Sequence, residues 1–343
     1  SSPVLLLNHA DHVFWLGASA ADLVVSIRDA GKTLCLTRRG VHERKTALLP
    51  IPVPPASSPG PSTVAAKQRL GIPPDSVVIA TIASAHKFAG STGPDFANVH
   101  ADILDNNPSF YHVVVGVPPG SEPWDSASAR TNGRLLTLKP TADLADIWAA
   151  ADLYADSFPV ASLTSVLEAM SHGLPCVSFD PFSGSSPVLR LGDAGQMALY
   201  YEGADIGDYE AALTRLGNEP LLRQVAGTKA FGVIRDRHWG DGWRDLLEAA
   251  YAAARREYAA DGAGPIEPTP IGSPTALDRN LAVSQAAQSV AQHAPDLVSG
   301  PLLSALPRRR AIQAIGVPRE RQDRVRLALP AWTMFAVGRT VRA

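Results

Sequence analysis

The stretch LYADSFPVASLTSVLEAMSHGLPCVSF, residues 153–179, decides the fold. Leu153–Ala155 is short and apolar and reads as a buried strand. A loop of small polar residues follows Asp156. A helix then runs over Ser165–His172 and stops at Gly173, and Pro175–Phe179 reads as a second strand. A strand, a helix and a strand at this spacing form a βαβ unit with parallel strands.

The same alternation extends outward from this unit. Val77–Ala83, Tyr111–Val117 and Leu135–Leu138 read as strands, and Met197–Tyr201 as a last one. Val64–Leu70, Pro94–Asp105 and a helix capped by Thr141 through Ala150 lie between them; helices follow at about 208–216, 219–229 and 241–258. Strands alternating with helices imply a parallel sheet covered on both faces, and right-handed crossovers make it doubly wound and Rossmann-like. Before it, Val4–Leu7 reads as a strand, Ala20–Asp29 as a helix closed by Gly31, and Thr33–Leu36 as a short strand. Residues 50–62, PIPVPPASSPGPS, hold six prolines and read as a stiff linker. Residues 261–274 form a second Pro/Gly linker, and 275–343 a helical extension.

Composition narrows the function. The 343 residues are 45% apolar and 19% charged, with net charge −2. Neither sign dominates, so bulk charge does not point to nucleic acid. No apolar run approaches the ~18 residues that span a bilayer. Two cysteines far apart, Cys35 and Cys176, exclude a disulfide framework and a cysteine zinc motif, and suit a reducing cytoplasm. The chain opens Ser1-Ser2-Pro3, without an initiator methionine or the charged start of a signal peptide. It reads as the interior of a longer protein.

Ligands of open parallel sheets bind at the carboxyl ends of the strands. Three such ends carry suitable residues. After Asp156, Ser162, Thr164 and Ser165 surround a helix start whose unpaired N–H groups attract phosphate. Glu168, one turn further, could accept hydrogen bonds from ribose hydroxyls. Ser165-x-x-Glu168 is also a capping box, and the spacing leaves both readings open. After the strand over 77–83, Lys87 offers a point charge for a diphosphate or is a solvated surface lysine. After the strand over 135–138, Lys139 lies where a base could pack, or in a plain turn. His9, Asp11 and His12 follow the first strand; a histidine there could be a general base, or both could be turn residues. No third ligand accompanies them, so no metal site is assigned.

Residues 154–175 resemble the donor-binding signature of GT-B glycosyltransferases. Thr164–Pro175 resembles the family pattern of a helix glutamate followed by Ala-x-x-x-Gly-x-Pro. Asp156-Ser157-Phe158-Pro159 is more similar to the O-GlcNAc transferase-like group than to the main retaining (family 4) branch. That branch carries a glutamate eight residues before the second; here the position is Val160. His238–Trp243 resembles the motif that opens the closing helix, and residues 8–28 with 44–52 resemble the end of a first domain. The resemblance implies a nucleotide-sugar-binding domain over 63–260 and a remnant of the N-terminal acceptor domain over 1–50, joined by 51–62. It implies diphosphate contacts from Lys87, Thr164 and Ser165, ribose contacts from Glu168, and His12 or His9 facing the sugar and acceptor.

The expected function is transfer of a sugar from a nucleoside-diphosphate sugar, taken as a UDP-sugar, to an acceptor hydroxyl in bacterial glycan or glycoconjugate synthesis. The acceptor would be a glycan, a lipid-linked group or a protein. No cofactor or metal is expected besides the donor, and no nucleic acid. With so short a first domain, transfer by this chain should be weak or absent. A non-catalytic nucleotide-sugar-binding module and a GT-B type epimerase are the rival readings. The end of the chain carries nine arginines between Arg308 and Arg342 against Glu320 and Asp323. It reads either as a solvated basic face or as an amphipathic segment on the inner, anionic membrane surface of a cytoplasmic enzyme.

Overall fold

The computed structural model describes residues 2–9, 18–54, 56, 60–88, 94–179, 200–203 and 205–260. All of them fall within residues 1–273, the first of two units into which the chain divides. Among the described residues the strands form two parallel sheets.

The larger sheet is built from β4 (Val77–Ile82), β5 (Phe110–Val115), β6 (Leu135–Leu138), β7 (Leu153–Ala155), β8 (Cys176–Phe179) and β9 (Tyr200–Gly203), in the order β6-β5-β4-β7-β8-β9. That is the doubly wound order, reversing between β4 and β7. Successive side chains of a strand point to opposite faces, and the burial follows this rule. Ile79, Val114, Leu153, Ala155 and Val177 face one core; Val78, Ala80, Val113, Val115, Tyr154 and Cys176 face the other. The first core is closed by α3 (Phe96–Asn106), α4 (Trp124–Arg130) and α7 (Ile206–Asn218). The second is closed by α5 (Ala145–Ala150), α6 (Thr164–Ser171) and α8 (Pro220–Val233). Strands buried on both faces are why these segments read as continuous apolar runs.

The helix starts owe much to single side chains. Ser62 caps α2 (Thr63–Arg69), Asp95 caps α3 and Asp205 caps α7, each accepting a backbone N–H of the first turn. Thr141 does not cap α5 as expected. Its hydroxyl accepts from the Asp143 N–H in a local turn, and the helix begins only at Ala145. The segment α4 was not expected as a helix. Gly173 ends α6 as expected, with φ +71° and its N–H on the Met170 carbonyl.

The smaller sheet, in the order β1-β2-β3, comprises β1 (Leu5–Asn8), β2 (Leu23–Ser26) and β3 (Thr46–Leu48). Two sequence expectations are overturned here. Residues 23–26 form a central strand, not the middle of a helix, and residues 33–36 lie in α1 (Asp29–Arg38), not in a strand. The reason is burial on both faces. Val24 packs with Cys35 and Val41; Leu23 and Val25 pack with Ala250 and Ala254 of α9 (Gly240–Ala260). A helix would spread three successive residues around its circumference instead of alternating them between opposite faces. The stop of α1 is accordingly Gly40, with φ +64°, and Gly31 lies within the helix.

The closing helix returns from the large sheet to the small one. Around its start, His238 Nδ1 lies 2.8 Å from the Ile51 carbonyl, Trp243 Nε1 donates to the Pro50 carbonyl at 2.7 Å, and the Val53 N–H donates to the His238 carbonyl at 2.8 Å. The proline-rich segment therefore has fixed partners through residues 50–53.

Candidate donor-binding site

The sheet reverses its winding between β4 and β7, whose strands pair through Ile79 with Leu153 and Ala80 with Tyr154. From β4 the chain leads towards α3 on one face; from β7 it leads to α6 on the other. A crevice opens where two neighbouring strands send their chains to opposite faces. Lys87 leaves the end of β4 and Asp156 the end of β7.

The approach to Lys87 is shaped by Gly116, at φ +109°. A Cβ there would sit 2.0 Å from the Ala83 carbonyl oxygen, so only glycine lets the chain after β5 lie against the end of β4. Lys87 Nζ donates to Ser162 Oγ at 3.1 Å and to the Ala161 carbonyl at 3.2 Å. The Val160 N–H in turn donates to the Lys87 carbonyl at 3.2 Å. Burial lowers the Lys87 pKa; the Asp156 charge raises it and the Arg28 charge lowers it further. Arg28 follows β2 in the small sheet and is 9% exposed. Its charge reaches Lys87, a relation the sequence did not disclose.

Asp156 organises the loop. It is fully buried, and its Oδ1 accepts from the Ser157 N–H at 2.8 Å and the Ser162 N–H at 2.9 Å. Ser157 Oγ donates to the Val160 carbonyl at 2.8 Å and lies 3.0 Å from Ser162 Oγ. Asp156 Oδ2 has no hydrogen-bond partner among the described residues. Burial pushes this carboxyl up to about 7; the Ser162 N–H, the Lys87 charge and the Ser157 N–H act in the opposite sense.

The helix that follows starts at Thr164, and no side chain caps it. The capping box is therefore not formed. Ser165 is buried in the first turn, while Glu168 accepts the indole N–H of Trp148 on Oε1 at 3.0 Å. Thr164 is exposed at the mouth of the helix. An uncapped helix start presents N–H groups and a partial positive charge, and here a lysine ammonium stands beside it. Such a corner is fitted to a diphosphate.

Neither Lys139 nor His9 makes a hydrogen bond to this cluster among the described residues. Lys139 is exposed just after β6 and makes no hydrogen bond or ion pair among the described residues. His9 is exposed one residue past β1, its N–H on the Leu7 carbonyl at 2.9 Å. His12 lies outside the described residues. Among the described residues no group of three or more His, Cys, Asp or Glu is placed to hold a metal ion.

No protein-family model matches the chain. A D-inositol 3-phosphate glycosyltransferase from Kineococcus radiotolerans is 26% identical over 268 residues, which is 72% of this chain and 60% of that protein. A solved glycosyltransferase from Rickettsia africae aligns with a TM-score of 0.55 at 12% identity, covering 73% of this chain and 70% of its own. WaaG, a glycosyltransferase involved in lipopolysaccharide biosynthesis, aligns with a TM-score of 0.51 at 16% identity, covering 67% and 62%. The fold is that of the GT-B glycosyltransferases, with Rossmann-like parallel sheets flanked by helices, as the signature over residues 154–175 implied.

Proposed function

We propose that the protein is a glycosyltransferase that takes a nucleoside-diphosphate sugar, expected to be a UDP-sugar, and transfers its sugar to an acceptor hydroxyl in bacterial glycan or glycoconjugate synthesis. The observation that carries this is the meeting of Lys87, Ser162 and the uncapped start of α6 at the point where the sheet reverses its winding. The sequence relative, itself a glycosyltransferase, supports the same reaction class.

In this reading the α6 N–H groups, Thr164 and Ser165 bind the diphosphate with Lys87, and Glu168 binds the ribose. Lys87 spends two of its three N–H donors on the Ala161 carbonyl and Ser162, and the third serves the diphosphate. As the bond from the sugar C1 to the phosphate oxygen breaks, its electron pair stays on the diphosphate. Lys87 and the helix start stabilise that charge more than they stabilise the intact donor, which lowers the barrier. The acceptor oxygen bonds to C1 and gives up its proton. His9 or His12 would receive it in an inverting reaction. Lys139 is assigned to the edge of the base subsite.

Residues 1–50 are taken as acceptor-side, 51–62 as the crossover, 63–260 as the donor domain, 261–274 as a second linker and 275–343 as an extension. The arginine-rich extension, the part that raised a membrane surface as a partner, lies outside the described residues. Among the described residues no helix is long and apolar enough to cross a membrane. A soluble donor suits the cytoplasm, with peripheral membrane contact where the acceptor is lipid-linked.

A second reading is binding without turnover: Val160, where the main retaining branch carries its first glutamate, offers the sugar no carboxylate. Release of UDP from a panel of UDP-sugars, followed with and without glycan acceptors, separates the two. The enzyme reading expects slow release that Lys87→Ala reduces by at least ~10-fold. Bound donor with no release of UDP in any mixture contradicts it and leaves the binding module.

A further inference from the structure

Trp148 stands on α5, outside the loop that carries the diphosphate corner, yet its indole Nε1 donates to Glu168 Oε1 at 3.0 Å. The His172 imidazole, one turn beyond Glu168, stacks on the indole with centroids 5.1 Å apart and planes 21° from parallel. Trp148 is 5% exposed and packs in the core formed with Val78, Tyr154 and Val166. A buried indole N–H requires an acceptor, and a carboxylate is a strong one. The terminal torsion of a glutamate is otherwise loosely defined. Here the hydrogen bond fixes it and occupies one oxygen. Oε2 has no hydrogen-bond partner among the described residues.

We propose that Trp148 is a positioning residue for the ribose subsite. By holding Oε1 it presents Oε2 to the ribose hydroxyls of a nucleoside diphosphate, and so sets the preference of the site for ribonucleotides over deoxyribonucleotides. His172 keeps the indole in the plane that this requires. The inference rests on the assignment of Glu168 to ribose. It adds to that assignment a specificity determined from a different helix.

The test is the ratio of dissociation constants for a deoxynucleotide and its parent. UDP, 2′-deoxy-UDP and 3′-deoxy-UDP are titrated into the wild type, Trp148→Phe and Glu168→Gln, with melting temperatures recorded alongside. A charged hydrogen bond to the ribose makes UDP about 10-fold tighter than at least one deoxy form in the wild type. Trp148→Phe keeps an aromatic ring in the core but removes the N–H. The ratio is expected to fall to about 2-fold through weaker UDP binding, with deoxy-UDP unaffected. An unchanged ratio in Trp148→Phe, whatever its melting temperature, overturns the proposal, because a residue that only fills the core does not sense the ribose hydroxyls.

Glu168→Gln separates the two levels. A wild-type ratio near unity that this variant leaves unchanged removes the ribose assignment and the inference with it. A ratio lost in Glu168→Gln but kept in Trp148→Phe removes the inference alone. If Trp148→Phe does not fold, His172→Ala replaces it, since it deletes the stack and leaves both hydrogen-bonding partners. A fall in the ratio of about 2-fold or more supports the proposal, and no fall overturns it.

Discussion

Asp156 has an ordinary role and an unusual environment. It ties residues 157 and 162 together with one oxygen, and the other, fully buried, has no partner among the described residues. Its carboxyl is raised to about 7 from 3.8, chiefly by burial. A raised acid in the folded state favours the protonated form. Its contribution is fully present below the unfolded pKa and is lost as the pH rises to the folded one. Between pH 3.8 and about 7 the fold should therefore lose stability relative to a variant without the acid. The shift corresponds to a difference of order 4 kcal/mol once both states are ionised. Asp156→Asn keeps an acceptor for the two N–H groups and cannot ionise. Denaturant unfolding from pH 4 to pH 8 is expected to show wild-type stability falling relative to Asp156→Asn up to about pH 7 and running parallel above it. Parallel curves throughout would mean that the buried carboxyl is not strained. In the sequence this residue stood as the end of a strand and the start of a resembling motif, and its burial was not legible, since nothing local distinguishes a buried aspartate from a solvated one. The places of Lys87 after a strand and of Thr164, Ser165 and Glu168 in the first turns of a helix were legible, because strand ends and helix starts have local signals. The partner of Glu168 was not. Trp148 is 20 residues away, and only the packing of α5 beside α6 brings the two together.

At the scale of elements, the large sheet was legible almost strand by strand, because burial on both faces leaves uninterrupted apolar runs. The small sheet was not. Residues 23–26 owe their conformation to α9, more than 200 residues later, and no local pattern carries that information. The joint between α6 and α8 depends on a similar remote contact. A Cβ on Gly227 would lie 2.0 Å from the Gly173 carbonyl oxygen, which ends the donor-site helix. Gly232, on the same helix α8, has open space around its Cβ position. Gly227→Ala is expected to destabilise the protein by about 2 kcal/mol through enforced separation of the two helices. Gly232→Ala should be neutral or stabilising by up to about 1 kcal/mol, since alanine suits a helix better than glycine. Thermal unfolding of the two variants checks both. Equal effects would show that helix propensity, and not the close approach, governs this joint.

At the scale of the molecule, the two parallel sheets of the described residues are linked by the segment around Ile51 and Val53 and by the return of α9. The charge of Arg28, which follows β2 of the small sheet, lowers the Lys87 pKa in the corner that the large sheet builds with α6. The central claim is that this corner is a nucleoside-diphosphate site. Calorimetric titration of UDP and GDP into the wild type, Lys87→Ala, Glu168→Ala and Lys139→Ala, the last an exposed residue at the proposed edge of the base subsite, tests it most directly. Micromolar to millimolar binding of one nucleotide is expected, weakened about 10-fold by Lys87→Ala and by Glu168→Ala. Lys139→Ala should weaken it by less than about 3-fold, since an exposed lysine contributes little. Absence of binding by either nucleotide, or binding indifferent to both Lys87 and Glu168, would contradict the account.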